Sequence, residues 1–247
     1  MPNELLNKPV DIWNNYRKGH NPSIPEISLV NKVYSKFYWL RKELRFFKKN
    51  LKNNGKALFI ASSTFWYVHR FKAIRPDLDV VCVDITKQDI VNPPYNFIVG
   101  NALSLPFKDE SFDLVVSAYL LEHFTYPNNI TFFSEISRIL KPDGLYYVET
   151  EGTSLLHYID LPMFLGQDVE LSFFDDPTHI RPYTRRSLIW LSRLVGLKPI
   201  TSYRIIVWLK LIGSPLFLLC GFCLRKTKYF SYLMSIFNNL AIIGTKG

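Results

Sequence analysis

The stretch Gly100-Asn101-Ala102-Leu103-Ser104-Leu105-Pro106-Phe107-Lys108-Asp109-Glu110-Ser111-Phe112-Asp113-Leu114-Val115-Val116-Ser117 continues as Leu120-Leu121-Glu122-His123-Phe124 and ends at Ile139-Leu140-Lys141-Pro142-Asp143-Gly144. Within it, Asp113 to Ser117 is short, apolar and bounded by turn residues, as a buried strand is. Ile130 to Leu140 is amphipathic with helical spacing, and Lys141-Pro142-Asp143-Gly144 closes it. Upstream, Ala57 to Ala61, Asp79 to Val83 and Asn96 to Val99 read as strands, and Phe65 to Ile74 as a helix stopped near Pro76. Downstream, Leu145 to Glu149 reads as a fifth strand and Thr184 to Val195 as a helix with Gly196 beyond its end. Ser202 to Trp208 and Leu240 to Thr245 read as the last two strands. Apolar strands alternating with helices predict a parallel sheet covered on both faces. Ligands then bind beyond the carboxyl ends of the strands, here Ala61 to Phe65, Asp84, Asn101, Ser117 to His123 and Glu149 to Gly152.

Composition sets the outer bounds. A chain of 247 residues, 48% hydrophobic and 21% charged, buries a core and is not disordered as a whole. Three Cys exclude a disulfide framework. Cys220 and Cys223 sit in Leu-Leu-Cys-Gly-Phe-Cys-Leu and read as buried apolar thiols, so no metal site is expected. The first residues lack a basic stretch followed by an apolar run, and the expected location is cytoplasmic.

The net charge of +9 is concentrated at one end, since residues 1–56 hold twelve Lys/Arg against four Asp/Glu. Ser28 to Lys52 has a helical period, with Val30, Val33, Phe37, Leu40, Leu44, Phe47 and Leu51 on one side and basic residues on much of the rest. It reads either as a docking helix with a solvated basic face or as a lid or membrane-surface helix. Ile205 to Leu224 carries a single charge, Lys210. Apolar helices from about Pro215 to Phe237 fit a core or homodimer contact or a peripheral membrane association. A true span fits less well, because it would separate the last strand from its sheet.

Asp84, at the tip of the second strand, is positioned to accept both ribose hydroxyls of a nucleoside cofactor. With the run from Asp79 to Thr150, the chain resembles the class I methyltransferases that use S-adenosylmethionine, and among them the methyltransferase 11 group. The resemblance extends over about residues 55 to 200. It implies a Rossmann-like, doubly wound sheet of about seven strands with the last strand antiparallel. It also implies Asp84 as the ribose-binding acid, Asn101 with Ala102 at the adenine, and Ser117 to Tyr119 beside the sulfonium and the acceptor. Glu122-His123 match the pair that opens the next segment.

One departure stands out. The family's first motif is an acid followed by Gly-x-Gly-x-Gly. Here the acid is Phe59 and the glycines are Ala61, Ser63 and Phe65. Those glycines allow positive φ and close approach to the ligand. Ala61 and the hydroxyls of Ser62 and Ser63 are expected to line the methionine end instead, and the ring of Phe65 needs space in or beside the pocket.

Asp175-Asp176-Pro177-Thr178-His179-Ile180-Arg181-Pro182-Tyr183-Thr184 is similar to a family segment on the acceptor side. His123, Asp176 and His179 are the candidate catalytic residues, as acceptors of a hydroxyl proton. Tyr119, Arg181 and Tyr183 are the candidate substrate-binding residues, with Arg181 suited to a phosphate or carboxylate. Alternatively the segment pins itself to the domain, with Thr184 as a helix cap. Asn92-Pro93-Pro94-Tyr95 resembles the signature of adenine-N6 nucleic-acid methyltransferases. It precedes the third strand instead of following the fourth, and reads as a proline-stiffened loop.

The division expected is a basic helical extension over 1–54, a methyltransferase core over 55–200, and the last two strands with an apolar helical insertion over 201–247. The expected activity is methyl transfer from S-adenosyl-L-methionine to a small molecule, glycan or lipid-linked saccharide, at oxygen. A scaffold that kept the fold and lost the cofactor, with Phe65 filling the pocket, is the alternative. A nucleic-acid methyltransferase comes third, and no nucleic-acid partner is expected.

Overall fold

The computed structural model describes residues 41–62, 65–86, 95–153, 173–176, 178–205 and 239–247. Seven strands form one sheet: β1 (Lys56–Ile60), β2 (Asp79–Asp84), β3 (Asn96–Val99), β4 (Phe112–Ala118), β5 (Leu140–Glu151), β6 (Leu197–Arg204) and β7 (Asn239–Lys246). Their order is β3-β2-β1-β4-β5-β7-β6. Strands β1 to β5 run parallel, and β7 is antiparallel to both β5 and β6. The expected doubly wound sheet with a reversed last strand is therefore present. The chain winds outward from β1 to β3 and returns to β4, so the order reverses between β1 and β4. That reversal opens a crevice at the carboxyl edge.

Each strand alternates its side chains between two apolar layers. Leu58, Val115, Tyr146, Val148 and Ile242 pack against α3 (Asn128–Ile139) and α4 (Arg185–Leu194), which contribute Phe132, Phe133, Ile136, Leu188 and Leu191. Phe59, Leu114, Val116, Tyr147 and Ile243 pack against α1 (Lys42–Asn50) and α2 (Trp66–Ile74), which contribute Leu44, Phe47, Val68 and Phe71. A fully buried Phe such as Phe47 or Phe133 stabilises the fold by roughly 2–3 kcal/mol through burial alone.

The described part of the basic helix, α1, buries Leu44 and Phe47 and leaves Lys48 and Lys49 exposed. Arg75 at the end of α2 fastens it, donating to the carbonyls of Leu51 (2.8 Å) and Lys52 (2.6 Å). Residues 28–40 of the expected helix lie outside the described residues. So do Asn92 to Pro94 and the apolar stretch over 206–238, with Cys220 and Cys223. Among the described residues no helix is long and apolar enough to cross a membrane.

Two boundaries differ from expectation. The sixth strand runs from Leu197 to Arg204, not from Ser202 to Trp208. Gly196, at φ 81°, turns the chain directly from α4 into the strand, and no loop intervenes. The fifth strand begins at Leu140, at the last turn of α3, not at Leu145. Lys141 to Gly144 form an irregularity within it, where the register against β4 shifts between Phe112 and Leu114 and Asp143 takes φ 60°.

Candidate functional site

The loop after β1 contains the departure noted in the sequence. Ala61 and Phe65 both adopt left-handed φ, 55° and 53°. These are the positions aligned with the first and third glycines, so both keep the positive φ that glycine favours without being glycine. Holding a non-Gly residue there costs on the order of 1–2 kcal/mol. The Phe65 ring accounts for how that strain is held. It is 7% exposed and packs against Tyr95 and Phe97, with ring centroids 5.8 and 6.1 Å away. It points into the core beside β2 and β3, not into the crevice.

The turn is closed by Phe65 N–H donating to Ser62 O (2.8 Å) and Ser62 Oγ donating to Phe59 O (3.1 Å). A small pocket lies between the ends of β1 and β4, bordered by Ala61, Ser62, Tyr67 and Ala118. Tyr67 Oη is buried and has no hydrogen-bond partner among the described residues. Burial and the nearby Glu149 carboxylate hold its pKa well above the ordinary phenol value, so it stays a donor. Ser63 lies outside the described residues.

Asp84 ends β2, buried, with Oδ1 accepting the Ile85 N–H at 2.8 Å. Asn101, after β3, is exposed, and its Oδ1 accepts the Leu103 N–H at 2.9 Å. That carbonyl retains a second lone pair. Ala102 packs partly buried against the core behind it. Ala61, Ser62, Asp84, Asn101 and Ala102 thus border the carboxyl edge of β1, β2 and β3.

A second group lies beyond β4 and β5. The turn Leu121–His123 places Glu122 in the interior, fully buried. Glu122 Oε2 accepts from Thr150 Oγ1 at 2.8 Å, while Oε1 has no hydrogen-bond partner among the described residues. Burial pushes the Glu122 carboxyl up to about 8; the hydrogen bonds from its own N–H and Thr150 only partly offset this, and Glu151 adds to it. Ser117 is also buried, with an Oγ that lacks a partner among the described residues.

The segment after β5 returns to this turn. Ile180 N–H donates to Glu122 O at 2.9 Å. Asp176 Oδ1 accepts from Thr178 N–H (2.7 Å) and Thr178 Oγ1 (2.6 Å). His123 Nδ1 lies 3.1 Å from both the carbonyl and the hydroxyl oxygen of Thr178. His179 Nδ1 lies 2.9 Å from Phe173 O, its ring stacks on Phe173, and its Nε2 is 3.6 Å from Asp176 Oδ2. The two imidazoles are 4.9 Å apart. All three candidate catalytic residues therefore meet, 56 positions apart in the chain.

Of the candidate substrate residues, Arg181 reaches this turn through its backbone, its N–H donating to Glu122 O at 3.4 Å. Arg181 is exposed and stacks over Tyr183 at 4.8 Å. Tyr183 is fully buried in the core, its hydroxyl accepting from Asn129 Nδ2 at 3.5 Å. Its position in β5-edge pairing explains this, since its N–H donates to Glu151 O at 3.0 Å. Tyr119, at φ 55°, turns to the opposite side of the sheet and donates to Glu149 Oε1 at 3.1 Å.

Glu149 was marked in the sequence only as a strand end, without a role of its own. It is buried at the end of β5 and also receives the Tyr147 hydroxyl and Asn239 Nδ2 (3.1 Å), with Arg41 at 3.8 Å. Burial and this carboxylate hold Tyr119 and Tyr147 well above the ordinary phenol pKa. The available signal was an acid closing the apolar run Leu145 to Val148, at a strand tip.

Residues 60–148 match a family described as a methyltransferase domain. Demethylmenaquinone methyltransferase of Staphylococcus saprophyticus is 27% identical over 118 residues, covering 43% of this chain and 48% of that protein. Phthiotriol/phenolphthiotriol dimycocerosates methyltransferase of Mycobacterium tuberculosis is 34% identical over 70 residues, covering 28% and 25%. The chain thus spans less than two thirds of the length of these relatives. A SAM-dependent methyltransferase from Archaeoglobus fulgidus superposes with a TM-score of 0.58 at 17% identity, over 95% of this chain and 99% of that one, a likeness of fold.

Proposed function

Because this chain belongs to the class I methyltransferase family through residues 60–148, we propose that it transfers a methyl group from S-adenosylmethionine to a small-molecule, glycan or lipid-linked acceptor, at oxygen. The observation that carries this reading is the loop at Ala61 and Phe65. Both residues sit at positive φ, at positions aligned with two of the family's glycines, while the Phe65 ring is packed against Tyr95 and Phe97. The scaffold alternative required that ring to fill the cofactor space.

The residues present fit the cofactor. Asp84 supplies a carboxylate at the ribose position, and Asn101 an acceptor at the adenine. Ser62 and the buried, unsatisfied hydroxyls of Tyr67 and Ser117 supply polar partners that a ligand would satisfy. When bound, the cofactor supplies a methyl group already activated on a sulfonium. What remains for the protein is alignment and exclusion of water, which can contribute roughly 7–11 kcal/mol. A hydroxyl acceptor also needs somewhere to put its proton. Asp176 and His179 form a pair for that purpose. Phe173 O holds the His179 ring so that Nε2 faces Asp176, and the carboxylate stabilises a proton arriving there. Arg181, on the exposed side, suits an acidic group on the acceptor.

The oxygen assignment rests on this cluster, since a neutral amine acceptor is already nucleophilic and has less need of a base. The test is a product assay with radiolabelled S-adenosylmethionine on hydroxylated acceptors, for the wild type and Asp176→Asn. Labelled ether product that falls at least about 100-fold in the variant, in line with loss of an acid–base group, is the expected result. Turnover unaffected by Asp176→Asn would remove the assignment.

A further inference from the structure

We propose that Glu122, His123 and His179 form a binding site for one divalent transition-metal ion, of the zinc type, which ties the segment after β5 to the turn after β4. One candidate ligand atom from each of the three residues lies within 4.8 Å of the others. Three independent features point to a cation there.

The first is Glu122. Its carboxyl group is fully buried and Oε1 has no hydrogen-bond partner among the described residues. A buried acceptor of that kind is costly unless something satisfies it.

The second is the histidine tautomers. His179 Nδ1 faces a backbone carbonyl, which can only accept, so Nδ1 carries the hydrogen of the neutral ring. His123 Nδ1 faces the Thr178 carbonyl and the Thr178 hydroxyl oxygen, whose own hydrogen goes to Asp176. Both rings are thereby fixed with Nε2 as the lone-pair nitrogen. A ring N–H held by a backbone carbonyl is the usual support behind a metal-ligating histidine.

The third is Asp176. Its Oδ2 lies 3.6 Å from the lone-pair side of His179. A carboxylate next to an unprotonated nitrogen is stabilised by positive charge between or beside them.

Two imidazoles and one carboxylate favour zinc or a neighbouring first-row metal over magnesium or calcium, which take oxygen sets. Metal–ligand distances of about 2.0–2.2 Å put tetrahedral donors roughly 3.4 Å apart. The donors therefore draw together on binding, which would tighten residues 173–180 against the turn Leu121–His123.

The experiment uses the full chain, stripped with chelator and dialysed against Zn2+ or Co2+, with bound metal measured by elemental analysis and by the Co2+ visible spectrum. One equivalent per chain is expected, with a tetrahedral-type Co2+ spectrum and a raised Tm. Glu122→Gln, which keeps shape, and His179→Asn should each weaken binding beyond the 10–100-fold typical of residues that only support ligands, with unchanged far-ultraviolet circular dichroism. No retained metal, or one equivalent retained with wild-type affinity in both folded variants, would overturn the site. Neither readout depends on methyl transfer.

Discussion

Two residues hold the loop after β1 in the conformation that glycine normally provides, and the cost falls differently on each. Ala61 has no compensating burial. Ala61→Gly should relieve about 1–2 kcal/mol of backbone strain against roughly 0.4–1 kcal/mol of added unfolded-state freedom. The expected change in urea unfolding is a stabilisation of about 1 kcal/mol or less. Phe65 also sits at positive φ, but its ring is packed between Tyr95 and Phe97. Phe65→Ala keeps the strain and loses the packing, so it should destabilise by about 3–5 kcal/mol. The sequence reading found the missing glycines at 61, 63 and 65. It could not find where the Phe65 ring goes, because Tyr95 and Phe97 are about thirty positions away and only the sheet brings them near. Asp84 was legible for the opposite reason, since a strand tip is a local feature.

At the level of elements, helix and strand identities followed from periodicity, while the edges depended on tertiary contacts. Helix α4 begins where its cap predicts. Thr184 Oγ1 accepts the Ser187 N–H at 3.1 Å, and Ser187 Oγ returns to Thr184. Thr184→Ala should cost about 1 kcal/mol, read as a lower denaturation midpoint with an unchanged slope. The start of β5 was missed because Pro142 and Gly144 are loop residues by composition; pairing of Leu140 with Phe112 decides otherwise. The same corner carries an acid-sensitive tie. Burial raises the Asp113 pKa, but the Lys141 ammonium and the Lys56 N–H outweigh it, and the carboxyl ends below its ordinary value. A carboxyl depressed in the folded state adds stability above its unfolded pKa, near 4, and that stability is lost as pH falls through the folded value. Stability of the wild type should therefore drop more steeply below about pH 4 than that of Asp113→Asn, as urea midpoints across pH would register.

Across the whole molecule, the sheet order gathers distant residues at one edge and divides them by face. The β1–β2–β3 end bears Ala61, Ser62, Asp84 and Asn101. The α3/α4 side beyond β4 and β5 bears Glu122, His123, Asp176 and His179. The α1/α2 side bears Tyr67, Tyr119, Tyr147 and Glu149. The first two groups were legible because each lies in a short stretch with its own pattern. Of the third, Tyr119 and Glu149 were marked singly, but not their meeting with Tyr67 and Tyr147, because that contact draws on separate elements that only the sheet brings together. The central claim is that a loop without glycines still makes a cofactor site. Its direct test is a calorimetric titration of the folded protein with S-adenosylmethionine and S-adenosylhomocysteine, repeated with Asp84→Ala. Binding in the micromolar range, weakened roughly 10–100-fold in a variant that keeps its Tm, is the expected result. No binding up to millimolar ligand in the folded wild type would contradict it.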